Sequence, residues 1–197
     1  MSTMTHDKAD ELALAAFDLF STRGIAGVNM DEIAAGAGVT KGSLYWHYSS
    51  KKEIVLASCD QYYGRWRAEI TAARADGGGP LGELEAAVNY SVRSCLLDDP
   101  NRIFTTEIVA MALYDEDVRA SWAGFLQEVE RLFLGLAHRA VGAGELHSDD
   151  VDRSVDFMIA SMEGIKQVAL FHGWQGRGNV QERLSGQLMG LLGATRA

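Results

Sequence analysis

Apolar side chains recur every three or four residues along most of the chain, whereas the alternating runs of Val, Ile and Thr that are typical of strands are missing. This spacing gathers apolar residues on one face of a helix. The pattern as a whole predicts an all-helical fold. A first helix is predicted over about residues 7–22, which Gly24 is placed to end. Its apolar face consists of Leu12, Ala16, Leu19 and Phe20.

Two short helices are predicted next, because residues that begin and end helices stand close together. Asn29 can accept hydrogen bonds from the free amides of a helix over about 30–36, and Glu32 favours the positive end of that helix. Gly38 suits a left-handed turn, and Thr40 can cap a third helix that reaches about residue 47. Two short helices joined by a glycine turn form a helix-turn-helix.

Six further helices complete the predicted fold. Ser50 and Glu53 have the spacing of a capping box at the start of the fourth helix, and Pro80 fits the first position of the fifth. The segment 98–101 is predicted to form a turn, and residues 175–179 at most a short mobile loop. The predicted spans are 51–74, 80–97, 102–113, 115–141, 149–172 and 179–194, with glycine-rich breaks at 142–144 and 173–178.

Length and composition indicate a globular protein of the cytoplasm. A chain of 197 residues, 47% of them hydrophobic, can bury a sizeable core. Its first residues lack the apolar core of a signal peptide, and no run reaches the roughly 20 apolar residues that span a bilayer. We therefore expect no membrane partner. Cys59 and Cys95 form no C-x-x-C pattern and are interpreted as packed thiols, with redox sensing as the less favoured alternative.

The charge distribution matters more than the net charge of −9, which alone argues against a nucleic-acid partner. Residues 33–52 contain three lysines and no acidic residue. Residues 57–197 contain 13 basic and 20 acidic residues. We therefore expect a local cationic patch on an acidic body.

The third helix begins with chemistry that suits DNA. Free backbone amides in its first turn, around Lys41, Gly42 and Ser43, attract phosphate oxygens. Tyr45 and Trp46 can pack on sugars or thymine methyl groups. A short helix of this kind fits the major groove, which is about 12 Å wide. The alternative interpretation is a solvated face with a packed edge, and Leu44 and Tyr48 are predicted to point into the core.

The stretch NMDEIAAGAGVTKGSLYWHYSSKKEIV, residues 29–55, resembles the TetR family of bacterial transcription regulators. Tyr48 stands where the family usually has Phe. A far weaker resemblance to carboxy-terminal domains of some members covers 102–121. The family resemblance implies DNA contacts from a set of residues around the third helix: Thr40, Lys41, Gly42, Ser43, Tyr45, Trp46, His47 and Lys51.

The same resemblance implies an all-helical protein of about nine helices. It implies a homodimer, usually a repressor that a small molecule releases from double-stranded DNA. We expect a helix-turn-helix DNA-binding domain over residues 1–50 and an effector-binding and dimerisation domain over 51–197. Two copies of the helix-turn-helix would bind palindromic or near-palindromic half-sites, roughly 34–36 Å apart or a larger multiple.

The last two long helices are the predicted dimer interface, as the family resemblance implies. The motifs Ala160-x-x-x-Gly164 and Gly186-x-x-x-Gly190 place small residues one turn apart, which allows close helix approach; packing within one chain is the alternative. The predicted interface residues are Val155, Ile159, Met162, Lys166 and Ala169 on one helix, and Leu184, Leu188, Leu191 and Leu192 on the other.

Large apolar side chains between residues 60 and 172 are the candidates for an effector chamber, because adaptable Met and aromatic linings suit an apolar cavity. Plain core packing is the alternative for each. Glu107 lies at the edge of an apolar stripe and is expected to orient a polar or cationic ligand group, unless it reaches solvent. The candidate ligand residues are Trp66, Phe104, Glu107, Met111, Trp122, Phe125, Met158 and Met162.

Nothing in the sequence indicates an enzyme. The five histidines show no H-E-x-x-H or i, i+4 pairing, and neither G-x-S-x-G nor a P-loop occurs. No cofactor and no metal are expected, although His147 with Asp149, Asp150 and Asp152 is a minor metal-binding alternative. A helical interaction protein that does not bind DNA remains the other rival.

Overall fold

The computed structural model describes residues 3–172 and 178–193. Within those residues there are nine α-helices, one π-helical segment and no strand, so the predicted all-helical fold is confirmed. The helices are α1 (Thr3–Arg23), α2 (Met30–Gly36), α3 (Lys41–His47), α4 (Lys51–Arg74), α5 (Pro80–Ser91), α6 (Asp99–Ala112), α7 (Glu116–Gly142), α8 (Val151–His172) and α9 (Val180–Leu191).

The helix-turn-helix forms where the capping residues predict it. Asn29 and Glu32 make a complete capping box at the start of α2, each side chain accepting from the other residue's backbone N–H. Gly38 has φ +65°, a conformation that glycine adopts without strain. Thr40 Oγ1 accepts a hydrogen bond from the Ser43 N–H at 3.2 Å and so caps α3.

Several boundaries differ from their predictions, and the first is that α1 begins at Thr3 rather than near residue 7. Asp99, Pro100 and Asn101 are the first residues of α6 rather than a turn, because a proline without an N–H is tolerated in a first helical turn. The fifth helix changes at Val92–Leu97 into a π-helical segment. The last helix ends at Leu191, shortly before Gly193 at φ +98°. Residue 194 and most of the predicted loop at 175–179 lie outside the described residues.

The start of α4 also departs from the predicted capping box. Ser50 Oγ accepts from the Glu53 N–H at 3.3 Å, as expected. The Glu53 carboxylate, however, accepts from the Ser49 N–H at 2.7 Å and from the Ser49 hydroxyl at 2.6 Å. The side chain therefore reaches one residue further back than the pattern predicts, and these bonds hold the pKa of Glu53 below its usual value.

The chain divides into two compact units by its internal contacts, and the functional division at residue 50 stays a prediction. The first unit comprises Met1–Trp66 and Asp99–Ala123, and the second comprises Arg67–Asp98 and Gly124–Ala197. In the first unit α1 packs against α2 and α6. Its core includes the fully buried side chains Leu12, Phe20, Ile33, Leu44, Ile54, Phe104 and Ile108.

In the second unit, the π-helical segment packs against α8 and α9, and α5 packs against α9. The core of this unit includes the buried side chains Leu84, Val88, Leu96, Phe133, Leu136, Val155, Met158, Leu184 and Leu188. None of the helices described is long and apolar enough to cross a membrane.

Candidate functional site

Helix α3 is held on the protein by one side and leaves the other side open. Leu44 is fully buried and anchors the helix in the first unit. Tyr48, just after the helix, donates from its hydroxyl to the Ala9 carbonyl of α1 at 2.9 Å. Both residues therefore point inward, as the sequence predicts. Burial raises the pKa of Tyr48 to about 12.

The predicted DNA-binding residues are grouped on the open side of α3 and at the start of α4. Trp46 is 71% exposed and Tyr45 is 43% exposed, which is unusual for large rings without a function. The Trp46 ring meets the His47 ring edge-on at 4.6 Å. Thr40, Lys41 and Gly42 are exposed, and Ser43, His47 and Lys51 are partly exposed. All eight residues are thus accessible on one part of the first unit.

Lys41 has a partner that the sequence analysis did not assign. Its Nζ lies 2.7 Å from a carboxylate oxygen of Asp31, and 5.9 Å from the centre of the Tyr45 ring. The hydrogen bond to Asp31 raises the pKa of Lys41. The sequence analysis assigned no role to Asp31, but the turn at Gly38 brings the start of α2 close to the start of α3. Lys41 is therefore protonated, and it can exchange its ion pair with Asp31 for one with another anion.

Lys51 lies beside a cleft of about 440 Å³ that is lined by residues 26–32 together with Lys41, Tyr45 and Lys51. Burial lowers the pKa of Lys51, while the charges of Glu32 and Glu107 act in the opposite direction. A lysine that is partly removed from water gains from an anionic partner. The cleft has mixed charge, because its lining includes the acidic Asp31 and Glu32 as well as Lys41 and Lys51.

Lys52 belongs to a different contact from the other lysines of the cationic patch. Its Nζ lies 2.6 Å from Asp117 and 3.4 Å from Asp115, at the α6–α7 connection. The hydrogen bond to Asp117 raises the pKa of Lys52. This lysine therefore joins the start of α4 to the α6–α7 connection within the first unit.

Four of the candidate ligand residues lie in the first unit besides Glu107. Trp66, Phe104 and Trp122 are buried, and Met111 is partly exposed. Phe104 and Trp122 are joined through Tyr62 and Tyr63: the ring centres are 6.0 Å apart from Phe104 to Tyr62, 6.0 Å from Tyr62 to Tyr63 and 6.2 Å from Tyr63 to Trp122. These residues fill the core around α1, α4 and α6.

Three other candidates, Phe125, Met158 and Met162, are buried in the second unit. A cavity of about 720 Å³ lies elsewhere in that unit, at the start of α8 and the end of α9. Its lining includes His147, Arg153 and Phe157 and none of the eight candidate ligand residues. Within the described part of the chain, no group of three His, Cys, Asp or Glu side chains is placed to hold a metal ion.

Glu107 occupies a position that the apolar stripe of α6 did not predict. Its Oε2 accepts a hydrogen bond from the Ile25 N–H at 2.9 Å, in the turn between α1 and α2. The sequence analysis expected this carboxylate to face a polar or cationic ligand group or to reach solvent. The partner found here is the protein backbone, 82 positions away. Only the packing of α6 against α1 reveals this pairing.

The last two helices have an exposed face different from the predicted one. Val155, Met162, Lys166 and Ala169, and also Leu184, Leu188 and Leu192, are buried within their own chain. Ile159 and Leu191 are partly exposed. The open face of α8 instead carries Phe157, Val168 and Phe171, which are 61%, 49% and 84% exposed. Ala160 and Gly164 are also exposed on α8, and a Cβ added at Gly164 or at Gly190 of α9 would meet nothing within 4 Å.

Comparison with known proteins supports the helix-turn-helix directly. The model of bacterial regulatory proteins of the tetR family matches residues 13–58. The HTH-type transcriptional repressor KstR2 of Rhodococcus jostii is 30% identical over 161 residues, which cover 75% of this chain and 72% of the relative. The HTH-type transcriptional repressor BepR of Brucella suis is 28% identical over 173 residues, covering 85% and 82% respectively.

Solved structures agree on the fold. A TetR transcription regulator from Haloarcula marismortui has a TM-score of 0.84 at 14% identity, covering 95% of this chain and 97% of its own. A transcriptional regulator from Saccharomonospora viridis, solved in complex with choline, has a TM-score of 0.82 at 15% identity, with 93% and 94% covered.

These relatives are transcription regulators rather than enzymes, and their similarity extends far beyond the helix-turn-helix. This chain has the features of such a helix-turn-helix. Its α2 and α3 are capped, Leu44 anchors α3 in the core, and the rings of α3 are exposed. This chain belongs to the TetR family of bacterial regulatory proteins and is a DNA-binding transcriptional regulator.

Proposed function

We propose that the protein is a repressor that binds an operator as a homodimer through α3 and leaves it when a small molecule binds. The observation that carries the DNA-binding part is the open side of α3, where Lys41, Tyr45 and Trp46 project from a helix anchored by the buried Leu44. The repressor part is supported by the relatives KstR2 and BepR, which are named as repressors. A protein that binds operators acts where the DNA is, in the cytoplasm.

In this proposal the residues of α3 divide into two kinds of contact. Lys41, Lys51, the Ser43 hydroxyl and the backbone amide of Gly42 bind phosphates, which positions the helix without reading sequence. Tyr45, Trp46 and His47 extend further into the groove and contact bases or sugars. Thr40 already accepts from the Ser43 N–H, so its role is to hold the first turn of α3 in shape while it lies against the DNA.

The proposed homodimer uses the open face of α8 together with α9. Phe157, Val168 and Phe171 would leave a contiguous apolar stripe in water if the chain remained alone, and such patches mark interaction sites. Ala160 and Gly164 on the same face leave room for a partner helix to approach closely. A second copy is the proposed occupant because a symmetric pair of helix-turn-helix motifs is what a palindromic operator requires.

The effector is proposed to contact apolar side chains among the candidates Trp66, Phe104, Met111, Trp122, Phe125, Met158 and Met162. The S. viridis regulator, which has a similar fold, was solved with choline. That complex supports a small molecule as the effector here without fixing its chemical class. An effector that prefers the DNA-free conformation needs a coupling free energy on the order of 1–3 kcal/mol to release the operator.

The proposal is tested by a gel shift on DNA from upstream of the protein's own gene, with wild type, Lys41→Ala and Tyr45→Ala. We expect a retarded complex with the wild type that weakens as salt rises, because phosphate contacts release counterions. Tyr45→Ala should lose the complex and Lys41→Ala should weaken it, while circular dichroism and size-exclusion chromatography still report a folded dimer for both. Unimpaired binding by both variants would refute the location of α3 in the groove.

A further inference from the structure

Glu107 connects α6 to the helix-turn-helix through a single hydrogen bond to the protein backbone. It follows the fully buried Phe104 by three positions on α6, so both side chains face α1. The Glu107 Oε2 lies 2.9 Å from the Ile25 nitrogen. Ile25 is 8% exposed, so water has little access to its N–H and the carboxylate takes the place of a solvent partner.

The turn at Gly24 is shaped to receive this carboxylate. Gly24 has φ +73° and donates its N–H to the Phe20 carbonyl at 3.0 Å, which ends α1. A Cβ added at Gly24 would lie 3.3 Å from the Glu107 Oε2. A side chain at that position would therefore crowd the carboxylate as well as strain the backbone. Because Gly24 has no side chain, the Glu107 carboxylate can approach the backbone of this turn.

The turn between α1 and α2 also holds the start of α2 in place. Arg23 donates to the Gly27 carbonyl at 3.0 Å and also pairs with Glu32 of α2. Asn29 caps α2 at the end of the same turn. A displacement of the Ile25 backbone therefore moves the start of α2, and α2 packs against α3. The contact of Glu107 is thus connected to the DNA-facing helix by a short and continuous path.

A second connection lies at the end of α6. Lys52, at the start of α4, pairs with Asp115 and Asp117 at the α6–α7 connection. The helix-turn-helix is therefore attached to α6 and its following turn at both of its ends, at Ile25 before α2 and at Lys52 after α3. Asp117 is exposed and Lys52 and Asp115 are partly exposed, and ion pairs that are open to water in this way are weak. The shielded bond of Glu107 is the stronger of the two attachments.

We infer that Glu107 is a positioning residue whose hydrogen bond to the Ile25 N–H transmits the position of α6 to α2 and α3, so that operator binding and the state of α6 are linked. The inference rests on the proposed function, because the link acts on DNA binding. It assigns Glu107 a role within the protein rather than contact with the effector. Movement of α6 away from α1 would break the bond and release the turn.

The test compares wild type, Glu107→Ala and Glu107→Gln by hydrogen–deuterium exchange and by operator affinity, with and without upstream DNA. In Glu107→Ala we expect the fragment containing Ile25 to exchange about 10-fold faster and operator affinity to fall about 10-fold, because a shielded donor loses the carboxylate that accepts from it. Operator binding should slow exchange in α6 of the wild type, and this response should vanish in Glu107→Ala.

The amide oxygen of Glu107→Gln can still accept from Ile25, so this variant should keep the α6 response and most of the affinity. If Glu107→Ala does not fold, Gly24→Ala takes its place, because the added methyl group crowds the same contact. It is then compared with Glu107→Gln. Glu116→Ala serves as the control, since Glu116 is an exposed glutamate of the same unit. A structural role alone would lower stability without abolishing the α6 response.

Two outcomes separate this inference from the proposed function. If the wild type binds no upstream or genomic DNA, the proposed function fails and the link to DNA fails with it, while the exchange at Ile25 still reports the contact itself. If the wild type binds DNA and Glu107→Ala binds equally well with an unchanged α6 response, DNA binding stands and the positioning role of Glu107 is overturned.

Discussion

Replacing Lys41 by Ala tests whether this lysine neutralises a DNA phosphate. Each phosphate contact contributes about 0.9 to the slope of log affinity against log salt concentration. A dimer presents Lys41 twice, so Lys41→Ala should reduce the slope by about 1.8. Between 50 and 200 mM salt, the wild type should therefore lose about 12-fold more affinity than the variant does.

The structure makes this value an upper limit. Lys41 Nζ lies 2.7 Å from Asp31 in the DNA-free protein. When the lysine moves to a phosphate, Asp31 becomes free to attract a cation from solution, and that uptake offsets part of the counterion release. We expect a measured reduction between about 1 and 1.8 for this reason.

The assay is fluorescence anisotropy of a labelled operator fragment at several salt concentrations. Arg131→Ala provides the matched control, because Arg131 is an exposed cation on α7 of the second unit. Its removal changes the net charge equally but should leave the slope unchanged. If Lys41→Ala and Arg131→Ala had the same slope as the wild type, Lys41 would not contact phosphate and the reasoning would be refuted.

Three further predictions follow from individual contacts. Asp31→Asn removes the anion that competes for Lys41 and should tighten operator binding roughly two- to five-fold; weaker binding in the same anisotropy assay would show that Asp31 helps to position Lys41. Tyr48→Phe removes the hydrogen bond to Ala9 and should cost about 1 kcal/mol in urea unfolding at neutral pH. Burial raises the pKa of Tyr48 to about 12 in the folded protein, whereas the pKa is about 10 in the unfolded chain. The pH-linked stabilisation by Tyr48 is therefore fully present below the unfolded-state pKa and is lost as the pH rises through the folded-state pKa. The stability gap between wild type and Tyr48→Phe should therefore narrow over that range, and a constant gap would contradict the assignment. Cys59 is buried and its pKa is raised to about 12, whereas Cys95 is partly exposed, so a thiol reagent at mildly alkaline pH should label Cys95 first; equal labelling rates would contradict the burial of Cys59.

The helix-turn-helix could be predicted in detail because its determinants are local. Asn29, Glu32, Gly38 and Thr40 each act within a few residues of their own position, through caps and a left-handed turn. The bounds of α2 and α4 agree with the predicted spans for the same reason. Leu44 was also predicted to be buried, together with Tyr48 four residues further along the chain.

Contacts between distant segments could not be predicted in the same way. Glu107 was interpreted from its own helix, where an apolar stripe suggested a chamber, but its partner Ile25 lies in a different part of the sequence. Lys41 and Asp31 are ten positions apart and meet only because the helix-turn-helix folds back on itself. The local sequence pattern predicts which face of a helix is apolar, but the packing of the folded chain determines which residues contact that face.

The faces of α8 were also assigned wrongly by spacing alone. Val155, Met162 and Ala169 repeat at helical intervals, as do Phe157, Gly164 and Phe171, so apolar residues occur on two faces. The first set is buried within the chain and the second is exposed. A sequence with two apolar faces does not indicate which of them packs against its own core. The π-helical segment at Val92–Leu97 likewise has no composition that distinguishes it from an α-helix.

The most direct test of the account is a hydroxyl-radical footprint of the wild type and of Tyr45→Ala on the upstream DNA. Two copies of α3 in the major groove predict two protected stretches, with centres about 10 to 10.5 base pairs apart or a multiple of that distance. Tyr45→Ala, folded and dimeric, should protect neither stretch. Equal protection by the variant, or the absence of any protected DNA with the wild type, would contradict the claim that α3 reads the operator in duplicate.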